Sequence, residues 1–233
     1  MFHVKHCYSD LIGVNKSNNH NISSRNVSRE TLDYSLAIYR EHEEWFRQLV
    51  DLWLWWNKSI NLFSRNTTSD LLKKHIQHSL ILSCEINMEK GATYIDAGSG
   101  GGLPGLPMAM AYPASEFFLV DKIKKKQLVL RDIIRKFNLQ NAEPQWMNIR
   151  DLRISKSVRI VSKHSFDLND LINGLKNCNW ETIHMLKGQD AFPEISNMPM
   201  DQFRVDIKRI NIPGDPFFLD KYIVSIFKTL NNG

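Results

Sequence analysis

At 233 residues, 42% of them hydrophobic, the chain can bury one well-formed domain with a small appendage and is too short for two full-sized ones. A net charge of +5 leans only slightly towards a polyanionic partner, and Cys7, Cys84 and Cys178, far apart and without a Cys-x-x-Cys pair, exclude a zinc ribbon and a disulfide framework. No apolar stretch approaches the ~20 residues that span a bilayer, and the first 21 residues lack a signal peptide's apolar core, so a cytoplasmic protein with no membrane partner is expected.

Residues 1–27 are rich in Asn, Ser and His, lack periodicity and read as a loosely ordered arm. Ser28, followed by Glu30 and Thr31, opens a helical pattern that carries Trp45, Leu49, Leu52 and Trp56 on one stripe. A second helix is predicted over 69–86, with Leu71, Leu72, Ile76, Leu80 and Ile81 apolar. Residues 28–90 therefore read as a helical cap. At Ala92 the pattern changes. ATYID is a short buried strand, followed by a glycine-rich turn and a helical stretch over 106–112. EFFLVD is a second strand and 124–138 an amphipathic helix. AEPQWM supplies a third strand, VRIVS a fourth, 168–175 a helix and ETIHML a fifth strand. Strands alternating with helices predict an α/β fold over 91–233, with parallel βαβ units in a doubly wound, Rossmann-like sheet. QFRVDIKRINI and KYIVSIFK, joined by PGDPFF, add an antiparallel pair at the end.

The turn after the first of these strands reads YIDAGSGGGLPGLP, residues 94–107. In a doubly wound sheet the first βα turn carries the ligand. Gly100, Gly102 and Gly105 satisfy GxGxxG, the dinucleotide pattern. Gly98, Gly100 and Gly102 satisfy GxGxG, typical of S-adenosylmethionine (SAM) methyltransferases. Context separates the two. Asp96, two residues before the first glycine, can pair with the ammonium of a methionine moiety but would repel a diphosphate. Pro104 and Pro107 remove amide donors that a diphosphate would use at a helix start. Asp121, ending the second strand, is placed to accept ribose hydroxyls in either cofactor class. SAM leads, and a nicotinamide cofactor with oxidoreductase chemistry is the alternative.

The acceptor follows from which residues are missing. Methylation of an exocyclic amine needs a polar-Pro-Pro-aromatic tetrapeptide after the fourth strand, where SKHSF stands instead. Methylation of pyrimidine C5 needs a cysteine nucleophile, and Cys178 in KNCNW reads as structural. Acceptors that are nucleophilic without losing a proton remain, guanine N7 among them. Such an acceptor requires alignment more than acid–base help.

Five segments stand in order and at matching spacing: WNKSINL (56–62), KHIQHSL (74–80), IDAGSGGGLPGLP (95–107), LVDKIKKKQLVLR (119–131) and LKGQDAFPEI (186–195). Together they resemble the bacterial 16S rRNA guanine-N7 methyltransferase family, also called the glucose-inhibited division protein B family. The resemblance covers roughly residues 28–228. It implies a class I SAM-dependent methyltransferase with a helical cap, acting on a guanine of the small-subunit ribosomal RNA. It places cofactor contacts at Gly98 and Leu103, at Ile149 and Arg150 where the adenine edge is read, and at Lys163. Gly100, Gly102, Asp96 and Asp121 complete the expected cofactor set. Lys187 and Lys163 are the expected catalytic pair, with Lys187 on an RNA phosphate or the guanine O6. No general base is expected, because N7 has no proton to lose.

The chain departs from the pattern at several positions. His78 replaces an acidic residue, Asn148 an Arg, Arg150 the Glu of a Val-Glu pair, and Lys163-His164 an Arg-Ala. These departures keep open a same-fold RNA-binding protein with weak or lost catalysis. His75 and His78, one helical turn apart, have metal-ligand spacing but no third ligand. No metal is expected, and His75 reads as a cap of the site or a buried hydrogen-bonding residue. The run Lys122, Lys124, Lys125, Lys126 beside the cleft suits phosphate tracking. The expected partner is 16S rRNA or the small ribosomal subunit, and the expected state a monomer.

Overall fold

A computed structural model describes residues 21–229. The reading of residues 1–20 as part of an arm lies outside the described residues. Strand β1 (Ile22–Asn26) leads to helices α1 (Arg29–Glu41), α2 (Glu43–Asn57) and α3 (Ser69–Glu85). Then follow β2 (Thr93–Ala97), α4 (Gly105–Ala111), β3 (Glu116–Asp121), α5 (Lys124–Lys136), β4 (Ala142–Trp146), β5 (Ile154–Lys163), α6 (Leu168–Gly174), β6 (Cys178–Lys187), α7 (Ala191–Ser196), β7 (Phe203–Ile210) and β8 (Lys221–Lys228). All eight strands lie in one sheet, in the order β1-β7-β8-β6-β5-β2-β3-β4.

Local chemistry sets many of the helix starts. Ser28 Oγ accepts from Thr31 N at 3.1 Å, Thr68 Oγ1 from Leu71 N at 3.2 Å, and Asp167 Oδ1 from Asn169 N at 2.8 Å, each satisfying an orphan amide. The helical pattern predicted from Ser28 to Trp56 is broken at His42, which ends α1 and precedes α2 with φ −109° and ψ 16°. Residues 22–26, read from sequence as part of the arm, form an edge strand instead. They pair in parallel with Val205–Arg209, some 180 residues away, and Ser23 Oγ donates to Asp206 Oδ1 at 2.7 Å.

Strand β2 is the pivot. It pairs in parallel with β3 on one side and β5 on the other, so chain order reverses around it and a crevice opens beyond the carboxyl ends of β2 and β5. All five of its residues are buried. β7 and β8 form the expected antiparallel pair, and β8 also runs antiparallel to β6. The cap helices are fused to one face. Phe46, Leu49 and Trp53 of α2 and Leu72, Ile76 and Leu80 of α3 have no exposed surface and share a core with Leu106 of α4 and Leu119 of β3. Among the described residues no helix is long and apolar enough to cross a membrane.

Candidate functional site

The glycine turn is shaped by backbone conformations that a side chain resists. Gly98, Gly100 and Gly102 have φ of +70°, +55° and +99°. A Cβ on Gly98 would stand 2.6 Å from Ser165 Cβ and 2.8 Å from the Phe166 ring, so glycine lets the turns after β2 and β5 meet. A Cβ on Gly100 would point into space, with Lys126 Nζ its nearest neighbour at 3.8 Å. That open side faces a cleft of about 640 Å³, the size of a cofactor site.

Asp121 ties two walls of this cleft together. One carboxylate oxygen accepts from Gly100 N at 2.9 Å and the other from Ile123 N at 2.8 Å. Both oxygens keep a lone pair for further donors. The cap supplies a third wall. Trp53 Nε1 donates to Gly101 O at 2.7 Å, and Asn57 Oδ1 accepts from both Leu62 N and Phe63 N at 2.9 Å, turning Leu62 and Phe63 into the cleft. Met147, Ile149 and Ile123 give an apolar slot beside Asp121. Asn148 and Arg150 flank it, with the Asn148 side chain accepting from Arg150 N at 3.1 Å.

Of the residues expected from sequence, Gly98, Gly100, Leu103, Asp121, Ile149, Arg150 and Lys163 line the cleft. Three do not. Gly102 packs inward, where a Cβ would run into Leu106 and Leu130. Asp96 is fully buried beneath the turn rather than facing a ligand, and its Oδ2 accepts from Gly105 N at 2.8 Å. Pro104 has no N–H, so Gly105 offers the nearest free amide at the start of α4 and draws the carboxylate to it. Burial is the main force on Asp96 and raises its pKa to about 7, against the Gly105 bond that favours the ion. Lys187 turns away from the cleft. It is 2% exposed, pairs with Glu194 at 2.6 Å and donates to Phe166 O at 3.0 Å. It does not line the cleft, where a contact with RNA was expected, and instead holds the segment that carries Ser165 and Phe166.

Lys163 stays at the cleft, with Nζ 2.7 Å from His75 Nδ1. Burial, then repulsion from Lys221, lowers its pKa to about 7. Burial first and Lys163 second push His75 down to about 3 and His164 to about 4. In the core, burial takes His184, bonded to Ser225 Oγ at 2.8 Å, to about 3. These imidazoles fold neutral and gain a proton on unfolding below about pH 6.5, so their stabilisation is complete above that pH and lost as pH falls towards 3–4. Asp96, raised rather than lowered, works the other way over about pH 4–7. With these three histidines and the buried His78, which burial also lowers, against one raised carboxyl, the melting temperature should fall between pH 6.5 and 4.5. Thermal melts by circular dichroism would contradict this by staying flat or rising on acidification.

The sequence missed Leu62, Phe63, Ser165 and Phe166 as cleft residues. The signals present were Asn57 in WNKSINL and the second serine of SKHSF, Ser165, whose Oγ donates to Gly98 O at 2.8 Å. Among the described residues no group of three or more His, Cys, Asp or Glu is arranged to hold a metal.

Comparison with known proteins gives one consistent picture. The profile of the GidB family, described as rRNA small subunit methyltransferase G, matches residues 42–214. A protein of Colwellia psychrerythraea named ribosomal RNA small subunit methyltransferase G is 32% identical over 76% of this chain and 86% of its own. A protein of the same name from Flavobacterium johnsoniae is 31% identical, over 84% and 96%. Among solved structures, ribosomal protein L11 methylase from Lactobacillus delbrueckii subsp. bulgaricus aligns with TM-score 0.51 at 14% identity, over 68% of this chain and 80% of that one. TrmN from Thermus thermophilus aligns with TM-score 0.51 at 14% identity, over 66% and 49%. At such identities these structures speak to the fold alone.

Proposed function

The chain belongs to the GidB family of small-subunit rRNA methyltransferases, and from that premise we propose that it transfers a methyl group from SAM to guanine N7 of 16S ribosomal RNA. The observation that carries the cofactor half is the cradle formed by Gly98, Gly100 and Asp121: backbone open to a ligand on one side and a carboxylate with free lone pairs beside an apolar slot. When bound, SAM supplies an electrophilic methyl on a sulfonium.

In this reading Asp121 accepts the ribose hydroxyls. Met147, Ile149 and Ile123 enclose the adenine, with Arg150 at its edge. Gly98, Gly100 and Leu103 border the methionine end. Asp96 acts from below, through the start of α4. Lys163 and Lys126, both in the cleft wall, meet the RNA or the cofactor's carboxylate. Leu62, Phe63 and Phe166 exclude water, so that the acceptor and the methyl carbon meet aligned and desolvated. No side chain need move a proton, since N7 carries none. We also propose residues 28–90 as a cap unit and 91–233 as the transferase unit, working in the cytoplasm where ribosomal RNA is made.

Nothing in the comparisons favours the oxidoreductase or the non-catalytic reading. Calorimetry tests the cofactor directly. S-adenosylhomocysteine (SAH) should bind one-to-one and NADH should not. Binding of NADH without SAH would overturn the assignment.

A further inference from the structure

On the far side of β2 from Asp121, basic side chains gather from three elements. Lys163 and His164 lie at and just past the end of β5, Lys221 begins β8, and His75 and His78 sit one turn apart on α3. Elsewhere on α3 a cation has its counter-ion, since Lys74 pairs with Asp215 at 2.7 Å. Among the described residues none of these five groups forms an ion pair. Two carboxylates sense them without pairing with them: Asp96, whose Oδ2 accepts from Gly105 N while its buried Oδ1 has no partner among the described residues, and Asp190, held by Lys187 at 3.5 Å and Gly188 N at 3.0 Å.

The cluster has a closed back and an open front. Phe217 packs edge-on against His75 at 5.0 Å and His78 at 5.9 Å, and Lys221 Nζ lies 5.7 Å from the same ring. His78 is fully buried and, among the described residues, neither of its ring nitrogens has a hydrogen-bond partner. Lys163 and His164 face the cleft. His164 does so from a left-handed backbone, φ +50°, uncommon for any residue with a side chain and typical of functional sites. Burial is the main force that lowers Lys163, His75 and His164, and the cations around them add to it.

We propose that Lys221 and His164, backed by Lys163 and His75, form a seat for a backbone phosphate of the RNA, next to the nucleotide presented to the methyl donor. A phosphodiester supplies the missing negative charge, and charge-assisted bonds to it are stronger than neutral ones. Lys221 stands two strands beyond β5, away from the cofactor cradle around β2 and β3, which favours the acceptor's phosphate over the cofactor's carboxylate. The inference rests on the RNA-acceptor reading above.

The test uses the full chain loaded with SAH and small-subunit RNA retained on filters over a series of KCl concentrations. The variants are Lys221→Gln, Lys221→Arg and His164→Asn, since asparagine tolerates the left-handed backbone. Lys221→Gln and His164→Asn should each weaken RNA binding about five- to tenfold, and Lys221→Gln, which alone removes a charge, should lower the slope of log Kd against log salt by about 0.7. Lys221→Arg should keep both near wild type. Calorimetric SAH affinity should change less than about twofold in all three. A loss of SAH affinity with RNA binding intact overturns the proposal in favour of the carboxylate, and unchanged RNA affinity and slope overturn it outright. Wild-type protein that does not retain the RNA overturns both this seat and the acceptor reading.

Discussion

Asp121→Ala should raise the Kd for SAH by about 10- to 100-fold, the equivalent of about 1.5–3 kcal/mol for hydrogen bonds to a charged group. Its two oxygens bridge Gly100 N and Ile123 N at 2.9 and 2.8 Å, so one side chain sets the distance between the glycine turn and the start of α5. In the proposed complex the same carboxylate would meet the ribose. The substitution therefore removes a contact and loosens the cradle at once. Asp121→Asn keeps the shape but exchanges one acceptor for a donor that faces a backbone N–H, and should fall between wild type and alanine. The cap and the sheet core do not depend on this side chain, so melting should change little. Calorimetry beside a thermal melt checks both parts. A change in Kd below about threefold would remove Asp121 from the cofactor site.

Glu194→Ala should cost about 3–5 kcal/mol of stability, the usual penalty for stranding one partner of a buried ion pair. For a domain of this size that is roughly 6–20 °C in melting temperature. Lys187 is 2% exposed and its main partner is Glu194, 14% exposed at 2.6 Å. Glu194 also accepts from Leu168 N at 2.9 Å, and Lys187 from its side holds Phe166 O. The pair thus clamps both ends of the turn that places Phe166 against the cleft. Lys187→Met, which replaces the chain's length without its charge, should also lower the melting temperature and weaken SAH binding. A lysine acting on the substrate would show the opposite pattern. Lys187→Met with wild-type melting and abolished methyl transfer would return it to the catalytic machinery.

The alternation of strands and helices and the glycine turn were legible because they rest on local signals: short apolar runs, alternating helices and glycine spacing. Asp121 was legible too, since the end of the second strand falls at the crevice whatever the side chains do. Asp96 and Lys187 do not line the cleft that their sequence positions suggested, for a common reason. Position at a strand's end does not say which way the side chain turns. That depends on the nearest unsatisfied partner, Gly105 N for one and Glu194 for the other. Gly102 carries the motif's spacing but serves packing, because Leu106 and Leu130 crowd it. β1 was hidden because its Ser- and Asn-rich sequence is extended by pairing with β7 rather than by its own propensity. α7, only six residues long, is too short for periodicity to reveal. The cap's hold on the turn, Trp53 to Gly101, joins residues 48 apart and no spacing rule reaches it.

The central claim is methyl transfer to N7 of a guanine in small-subunit ribosomal RNA. The most direct measurement incubates the purified protein with tritiated SAM and small-subunit particles or RNA from a strain lacking its own enzyme, then maps the modified base. The account predicts label in one guanine, with the mark of an N7-methyl group: strand cleavage there after reduction and aniline treatment. Label at another atom, or none while SAH binds, would contradict it.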